Sequence, residues 1–144
     1  MIKLSDDLKQ RFVNALTDGV AMVVGYVDRN GDPHVSPYGS LHASGDDQLA
    51  LWVRNPQGDL IEGIARNANV AIFYAQLSSR TFVRMRGRAR VAETAGERTT
   101  VFEGMHSFEQ RGDPDRIGVA IVIDLGSAAG READGTMFNM TRSA

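Results

Sequence analysis

The sequence contains no cysteine, which excludes disulfide bonds, thiolate nucleophiles and cysteine-bound metal or iron–sulfur centres. No apolar run approaches the roughly 18 residues that a membrane-spanning helix needs. The N-terminus also lacks the apolar core of a secretory signal. These absences predict a cytoplasmic protein that has no membrane partner.

Motifs of several enzyme classes are also missing. No Gly-x-Ser-x-Gly elbow accompanies Ser36 or Ser40, and no glycine-rich phosphate loop is present. The histidines are His34, His42 and His106, and the first two are separated by about 26 Å of extended chain, too far to share one metal. The residues therefore predict neither a hydrolase nor a metal site, and they identify no catalytic group.

Length and charge favour one ordinary globular domain. The chain has 144 residues, of which 42% are hydrophobic, enough for a substantial core. A net charge of −2 and a pI of about 5.9 argue against a general nucleic-acid surface. We expect a single domain over residues 1–144, with an N-terminal helix within 1–19 and an irregular C-terminal tail over 126–144 that contains at most a short strand at 136–140.

Most of the remaining pattern is typical of β strands. The pair Asn30-Gly31 predicts a hairpin turn, because both positions tolerate positive φ. Alternating or continuous apolar runs predict strands at 20–28, 33–41, 48–53, 70–76, 81–91 and 119–125.

Three short helices are predicted from their N-capping residues. Ser5 begins the first helix, and Asp59 with Glu62 begins the second. Thr94 with Glu97 begins the third, whose apolar residues extend to position 108. Their apolar faces indicate packing against a core or an interface.

A row of four arginines occupies one face of the predicted strand 81–91. Neighbours among Arg84, Arg86, Arg88 and Arg90 lie about 6.6 Å apart, so their charges repel unless water or anions screen them. Arg84 and Arg86 are candidates for binding a phosphate-bearing ligand, because a guanidinium group can bind phosphate through two hydrogen bonds. Arg88 and Arg90 are expected to face solvent or to pair with acidic residues.

Four segments, in their order and spacing, resemble one known family. They are Gly-Asp-Pro-His-Val-Ser-Pro-Tyr-Gly-Ser at 31–40, Leu-Trp-Val-Arg-Asn at 51–55, Ala-Arg-Asn-Ala-Asn-Val-Ala-Ile-Phe-Tyr at 65–74, and Arg-Gly-Arg-Ala-Arg-Val at 86–91. Together they are similar to the pyridoxamine 5′-phosphate oxidase-like, flavin-binding split-barrel family. The resemblance implies a mainly β (α+β) fold, a six-stranded antiparallel split barrel with short flanking helices. It also implies a homodimer with FMN in a groove between the subunits.

The resemblance further implies where the cofactor lies. In the family, the strand matching 36–41 runs beside the flavin ring, and the end of the next strand approaches the ribityl phosphate. The implied cofactor-binding residues are Ser36, Pro37, Tyr38, Gly39, Ser40, Val53, Arg54, Asn55 and Gly58, with Arg84 and Arg86 adding positive charge from the arginine row.

The chain departs from the family at the start of the following helix, which normally adds basic residues for the phosphate. Asp59 and Leu60 occupy the matching positions here. A carboxylate at a helix N-terminus occupies its free N–H groups and repels an anion. We therefore expect Arg54, together with Arg84 or Arg86, to bind the phosphate. A deazaflavin coenzyme or haem is equally consistent with this departure.

The function predicted on this basis is that of an FMN-dependent oxidoreductase acting on a small organic substrate at the homodimer groove. Flavin supplies the redox chemistry itself, which agrees with the lack of a catalytic motif. Two alternatives remain: a non-catalytic protein that binds or senses flavin or haem, and a dimeric split barrel without a cofactor.

Overall fold

The computed structural model describes residues 1–143, in which eight strands form one sheet. The strands are β1 (Val23–Val27), β2 (Pro33–Pro37), β3 (His42–Ala43), β4 (Gln48–Val53), β5 (Asn69–Gln76), β6 (Thr81–Val91), β7 (Val119–Arg131) and β8 (Met137–Thr141). The helices of the same residues are α1 (Asp6–Asn14), α2 (Asp59–Arg66), α3 (Ala95–Gly104) and α4 (Ser107–Gly112), and a 3₁₀ turn at Leu77–Ser79 joins β5 to β6.

The strand order is β2-β1-β5-β6-β7-β4-β3, and all pairings are antiparallel. β4 pairs with the first half of β7, and β8 pairs with its second half. The predicted fold class, a mainly β antiparallel split barrel with short flanking helices, is confirmed. The open sheet has eight strands rather than six, because a two-residue strand follows β2 and a further strand lies near the C-terminus.

The C-terminal segment is more regular than expected. β7 continues past Leu125 to Arg131 and β8 returns beside it, so a hairpin replaces the mostly irregular tail predicted over 126–144. The short strand expected at 136–140 corresponds to β8, shifted by one residue. Gly126 is an extra residue at a bulge, where the β6–β7 register shifts between Arg86 and Gly87. The small residues of this strand alternate too weakly in polarity to predict it. Residue 144 lies outside the described residues.

Local signals set most of the turns and helix starts. In the predicted hairpin turn, Gly31 has a φ of 84°, and the Asp28 carboxylate accepts hydrogen bonds from the backbone N–H groups of Asn30 (2.8 Å) and Asp32 (3.0 Å). Ser5 caps α1 by accepting from the backbone N–H of Leu8 at 3.2 Å.

Two helix predictions need correction. The N-cap of α2 is Gly58, and Asp59 is the first helical residue, because the Gly58 N–H closes a turn onto the carbonyl of Asn55 at 3.0 Å. Thr94 caps α3 as predicted, but this helix ends at Gly104, and residue 108 lies in the separate helix α4.

The main hydrophobic core lies on the inner face of the curled sheet. Strands β1, β4, β5, β6 and β7 contribute alternate residues to it, and α1 and α2 pack against it. The outward-facing residues of the same strands form a second surface, and this surface carries the arginine row.

Candidate functional site

The outer face of the sheet is covered on one half only. Helix α3 packs on the β4 strand and the first half of β7, and the buried cluster there contains Ala50, Trp52, Val101, Phe102, Met105, Ala120 and Val122. The other half is formed by β1, β2, β5, β6, the second half of β7 and β8. We call it the open face, because no helix of residues 1–143 packs on it.

Two neighbouring rows of side chains cross the open face. The strand register defines one row as Val35, Gly25, Ala71, Arg86, Ser127 and Thr141, and the next as Pro37, Val23, Phe73, Arg84, Ala129 and Asn139. Four residues of the two rows have a small side chain or none, so the sheet forms the floor of a groove of about 690 Å³; they are Gly25, Ala71, Ser127 and Ala129. The groove is mostly apolar, with two guanidinium groups along one strand.

Arg84 and Arg86 are the charged residues of this groove. Both are exposed, and neither forms an ion pair with another of residues 1–143. Arg90, by contrast, donates to both carboxylate oxygens of Glu97 in α3, at 2.9 and 2.8 Å, which lowers the pKa of Glu97 to about 2. The acidic pairing expected for the outer end of the row therefore holds at Arg90, whereas no carboxylate of residues 1–143 pairs with Arg84 or Arg86 in the groove.

The predicted cofactor residues on and after β2 divide between the two faces. Pro37 lies on the open face, whereas Ser36 points to the other side of the strand, which it shares with His34. Tyr38 packs against the main core, and burial raises its pKa to about 12. Of these three, the structure therefore places only Pro37 on the open face, in the same row as Arg84 but with β1 and β5 between them.

Ser40 and Gly39, which were also predicted to bind the cofactor, contact other parts of the chain. The buried Ser40 hydroxyl donates to the carbonyl of Trp52 and accepts from its backbone N–H, both at 2.9 Å. Gly39 packs against the carboxylate of Glu109, so a larger side chain there would require Glu109 to move. The Ser40 hydroxyl is thus engaged within the chain rather than free for a flavin.

The predicted residues at the end of β4 form a turn away from the open face. Val53 is a core residue, and the Asn55 side chain accepts from the backbone N–H of Gln57 at 3.0 Å. Arg54 forms an ion pair with Glu109 of α4 at 2.7 Å. Its charge is thus compensated within the chain, which weakens the case for a phosphate site at this position.

Arg54 and Arg84 also lie at opposite ends of β7. Val53, beside Arg54, pairs with Val119, whereas Arg84 pairs with Ala129. Ten residues at about 3.3 Å each correspond to roughly 33 Å of strand. At this separation Arg54 and Arg84 of one chain cannot reach the same phosphate, because the end of β4 pairs with the start of β7, whereas Arg84 of β6 pairs with its second half.

On the covered half of the outer face, the buried carboxylate of Asp113 connects β4 to the loop before β7 through hydrogen bonds. Asp113, which is 5% exposed, accepts hydrogen bonds from Trp52 Nε1 and the Gly118 N–H, both at 2.8 Å, and from the Ile117 N–H at 3.1 Å. Burial alone would raise the pKa of Asp113, but these hydrogen bonds outweigh it and hold the pKa below its ordinary value. Arg98 of α3 lies over the Trp52 ring at 4.6 Å.

The histidines lie away from the groove. His34 pairs with Asp28 at 2.7 Å and stacks on Tyr26, and His106 bonds to Thr17. His42 is buried, and its Nδ1 bonds to the carbonyl of Ser40 at 2.8 Å. Within residues 1–143 no group of three or more metal-binding side chains occurs, and no helix there has the length and hydropathy needed to cross a bilayer.

Sequence reasoning missed half of the groove. Gly25 and Ala71 form its floor, and Ser127 and Asn139 lie beyond the arginines on β7 and β8. The only available signal was the run of small residues in the C-terminal segment, which was interpreted as an irregular tail. Pairing with β6 gives that run its position.

Comparisons with known proteins agree with the fold. No curated protein sequence matches the chain. Among solved structures, HupZ of Group A Streptococcus is 17% identical with a TM-score of 0.67, over 94% of this chain and 98% of that one. General stress protein 26 of Bacillus anthracis is 19% identical with a TM-score of 0.63, over 92% and 98%.

A Clostridium acetobutylicum protein related to general stress protein 26, of the pyridoxinephosphate oxidase family, is 10% identical with a TM-score of 0.64, over 92% of this chain and 95% of that one. Identities this low show the shared fold alone. The family model described as pyridoxamine 5′-phosphate oxidase matches residues 8–127, which is most of the chain. The chain therefore belongs to the pyridoxamine 5′-phosphate oxidase family.

Proposed function

We propose that this protein is an FMN-dependent oxidoreductase that acts on a small organic substrate, with the flavin held on the open face between two copies of the chain. Family membership supports a flavin-type cofactor. The observation that carries the proposal is the groove itself, in which Arg84 and Arg86 face an apolar floor without any acidic residue among the lining side chains.

The two arginines suit the flavin phosphate. A phosphate dianion can accept paired hydrogen bonds from two guanidinium groups, and it removes the repulsion between charges about 6.6 Å apart on one strand. The turn around Arg54 suits it less, because Glu109 already neutralises that arginine and Asp59 adds a negative charge at the start of α2.

The floor of the groove suits a flat ring. Gly25, Ala71 and Ala129 have small or no side chains, so a planar group can lie directly against the sheet. Phe73, which is 40% exposed, offers an aromatic surface beside the floor, and Asn139 offers an amide at its far edge. No histidine lines the groove, which favours a flavin over a histidine-bound haem.

A second copy of the chain is the proposed cover. Val35 and Met137 lie on the two outer strands of the open face and are 70% and 66% exposed. Large apolar side chains spread over such a face indicate a surface that is buried on association. A two-fold pair of such faces would enclose both grooves and exclude water from them.

The chain's own residues would bind and orient the cofactor. Arg84 and Arg86 would hold its anionic end, the sheet floor would support its ring, and the apolar rim would exclude water. When bound, the flavin supplies hydride or electron transfer at its ring. The side chains that line the groove include no Asp, Glu, His, Lys, Tyr or Cys, and its arginines stay protonated, so none of them suits a general acid or base. The flavin reaction proposed here therefore uses no proton donor from the protein.

FMN binding in the groove is tested by titrating FMN into purified protein and following the quenching of flavin fluorescence. Changing Arg84 and Arg86 together to Gln should raise the Kd for FMN by about tenfold or more, because charge-assisted hydrogen bonds to the phosphate are lost. Arg54→Gln is the matched control and should leave the Kd within about twofold. Loss of FMN binding in the Arg54 variant alone would place the phosphate elsewhere.

Dimerisation through the open face is tested by light scattering after size-exclusion chromatography. Phe73→Asp puts a charge in the open face and should yield a monomer. Leu77→Asp is the control, since Leu77 is 89% exposed on the β5–β6 turn outside the groove and should leave the dimer intact. A monomeric mass for the wild-type protein would contradict the proposed dimer contact through the open face.

Turnover separates an enzyme from a carrier. Bound flavin that NADH or NADPH reduces, and that a panel of small organic acceptors then reoxidises catalytically, supports an oxidoreductase. Stable binding of flavin without reduction or reoxidation would instead support the non-catalytic binding protein. A colourless protein that does not take up FMN would support a cofactor-free dimer.

A further inference from the structure

A second groove lies beside the first, on the other side of Arg86. Its volume is about 490 Å³, and it follows β6 from Arg86 past Arg88 toward the region where α3 covers the sheet. The bulge at Gly126 forms part of its wall, together with Arg142 from the segment after β8. The two grooves share Arg86 but no other charged residue.

The positive charge of this second groove is only partly compensated. Arg90 is paired with Glu97 and lies 3.6 Å from Asp124, and Arg142 is paired with Asp47 at 3.2 Å. Arg86 and Arg88 form no ion pair with any of residues 1–143. Two uncompensated guanidinium groups thus adjoin one cavity in a chain whose net charge is −2.

The side chains of Arg88 and Arg142 are also held in place. The Arg88 side chain donates to Asn69 Oδ1 at 3.2 Å, and Arg142 Nε donates to the carbonyl of Leu125 at 2.9 Å. The backbone N–H of Arg142 bonds to the carbonyl of Gly126 at 2.9 Å, which fixes this arginine on the bulge. Ordered guanidinium groups lose less conformational entropy when they bind an anion.

We infer that this second groove binds a phosphate group of a small molecule, through Arg86, Arg88 and Arg142. Spacing along a strand places Arg86 and Arg88 about 6.6 Å apart, so a phosphate or pyrophosphate between them reaches both. The site overlaps the proposed flavin site only at Arg86, because Arg88 and Arg142 do not line the first groove. It therefore does not depend on the flavin proposal.

The test is a titration of pyrophosphate into the purified full chain, followed by calorimetry and by NMR of backbone amides. Wild-type protein should bind saturably with a Kd below about 1 mM, and the shifted amides should include Gly87 and Gly126. Arg88→Gln should raise the Kd by about tenfold, and Arg88→Lys should raise it less, because lysine keeps the charge but loses the paired hydrogen bonds.

Arg66→Gln is the matched control, since Arg66 is an exposed arginine at the end of α2 outside both grooves, and it should change the Kd by less than about twofold. An unchanged Kd in Arg88→Gln, an equal loss in Arg66→Gln, or no saturable binding to the wild type would each overturn the inference. A raised Kd in Arg84→Gln together with an unchanged Kd in Arg88→Gln would place the anion in the first groove, which overturns this inference and leaves the flavin proposal standing.

ADP and NADPH, titrated in the same way, identify the source of the phosphate. Tighter binding of either nucleotide than of pyrophosphate, still weakened by Arg88→Gln, supports the site and assigns it to a nucleotide. Equal affinities support a site that recognises the phosphate groups alone.

Discussion

Replacing Asp113 with alanine tests how the covered half of the outer face is held together. The change removes the acceptor of two buried donors, Trp52 Nε1 and the Gly118 N–H, each now bonded at 2.8 Å. A buried donor left without a partner costs about 1–3 kcal/mol. Water that enters the vacated space can accept hydrogen bonds from these donors and so offset part of the cost for the two of them. We therefore expect the free energy of unfolding to fall by about 3 kcal/mol.

Urea unfolding measures this loss directly. Trp52 is the only tryptophan in the chain, so its fluorescence reports on the site that is changed, and far-UV circular dichroism reports on the whole fold. The control is Asp115→Ala, an exposed carboxylate two residues away, which should stay within about 0.5 kcal/mol of the wild type. If the two variants unfold with equal free energies, the hydrogen bonds to Asp113 do not stabilise the fold as described.

The pH dependence of the same variant gives an independent check. The pKa of Asp113 is lower in the folded state than its ordinary value of 3.8, so the unfolded state binds more protons near that pH. The carboxylate therefore stabilises the fold above pH 4 or so, and this contribution is lost as the pH falls through the folded pKa. The difference in unfolding free energy between wild type and Asp113→Ala should accordingly shrink in acid and stay constant near neutrality.

Two further predictions concern stability. Gly63→Ala should destabilise the fold by about 1–3 kcal/mol despite the higher helix propensity of alanine, because its Cβ would lie 2.6 Å from the carbonyl oxygen of Val27. Gly96→Ala in α3 is the control and should stabilise the fold by about 0.5–1 kcal/mol, because its Cβ would come no closer than 4.0 Å to Thr94 Oγ1. Equal effects of the two changes in urea unfolding would contradict this reasoning. Burial lowers the pKa of His42 below 6.5, so the unfolded state takes up a proton more readily than the folded state. The free energy of unfolding should therefore fall as the pH drops below about 6.5 toward the folded pKa. In His42→Asn the free energy of unfolding should depend less on pH in this range, and an unchanged pH dependence would exclude His42 as its source.

Much of the fold followed from local sequence patterns. The bounds of β4 and β6 agree with the predicted runs, and Ser5 and Thr94 cap their helices, because alternation and capping depend on neighbours within a few residues. The start of α2 was misassigned by one residue, since a turn onto Asn55 decides it and Asp59 has the same capping chemistry as a true N-cap.

The candidate site was only partly predictable. Arg84 and Arg86 were identified from alternation along a single strand, and the structure does place them side by side in one groove. Ser40 and Arg54 were assigned by resemblance, but Trp52 and Glu109 engage their polar groups. A sequence pattern cannot show such partners, because they come from distant parts of the chain.

The sequence by itself determined the central strands, the hairpin turn at Asn30-Gly31 and the row of positive charges, because each depends on the spacing of residues that are close along the chain. Tertiary structure alone decided which arginines remain without a partner and which strands form the walls of the two grooves. The physical reason lies in β7: its first half pairs with β4 under α3, and its second half pairs with β8 under no helix of residues 1–143. That division compensates Arg90 with Glu97 and leaves Arg84 and Arg86 facing an open groove.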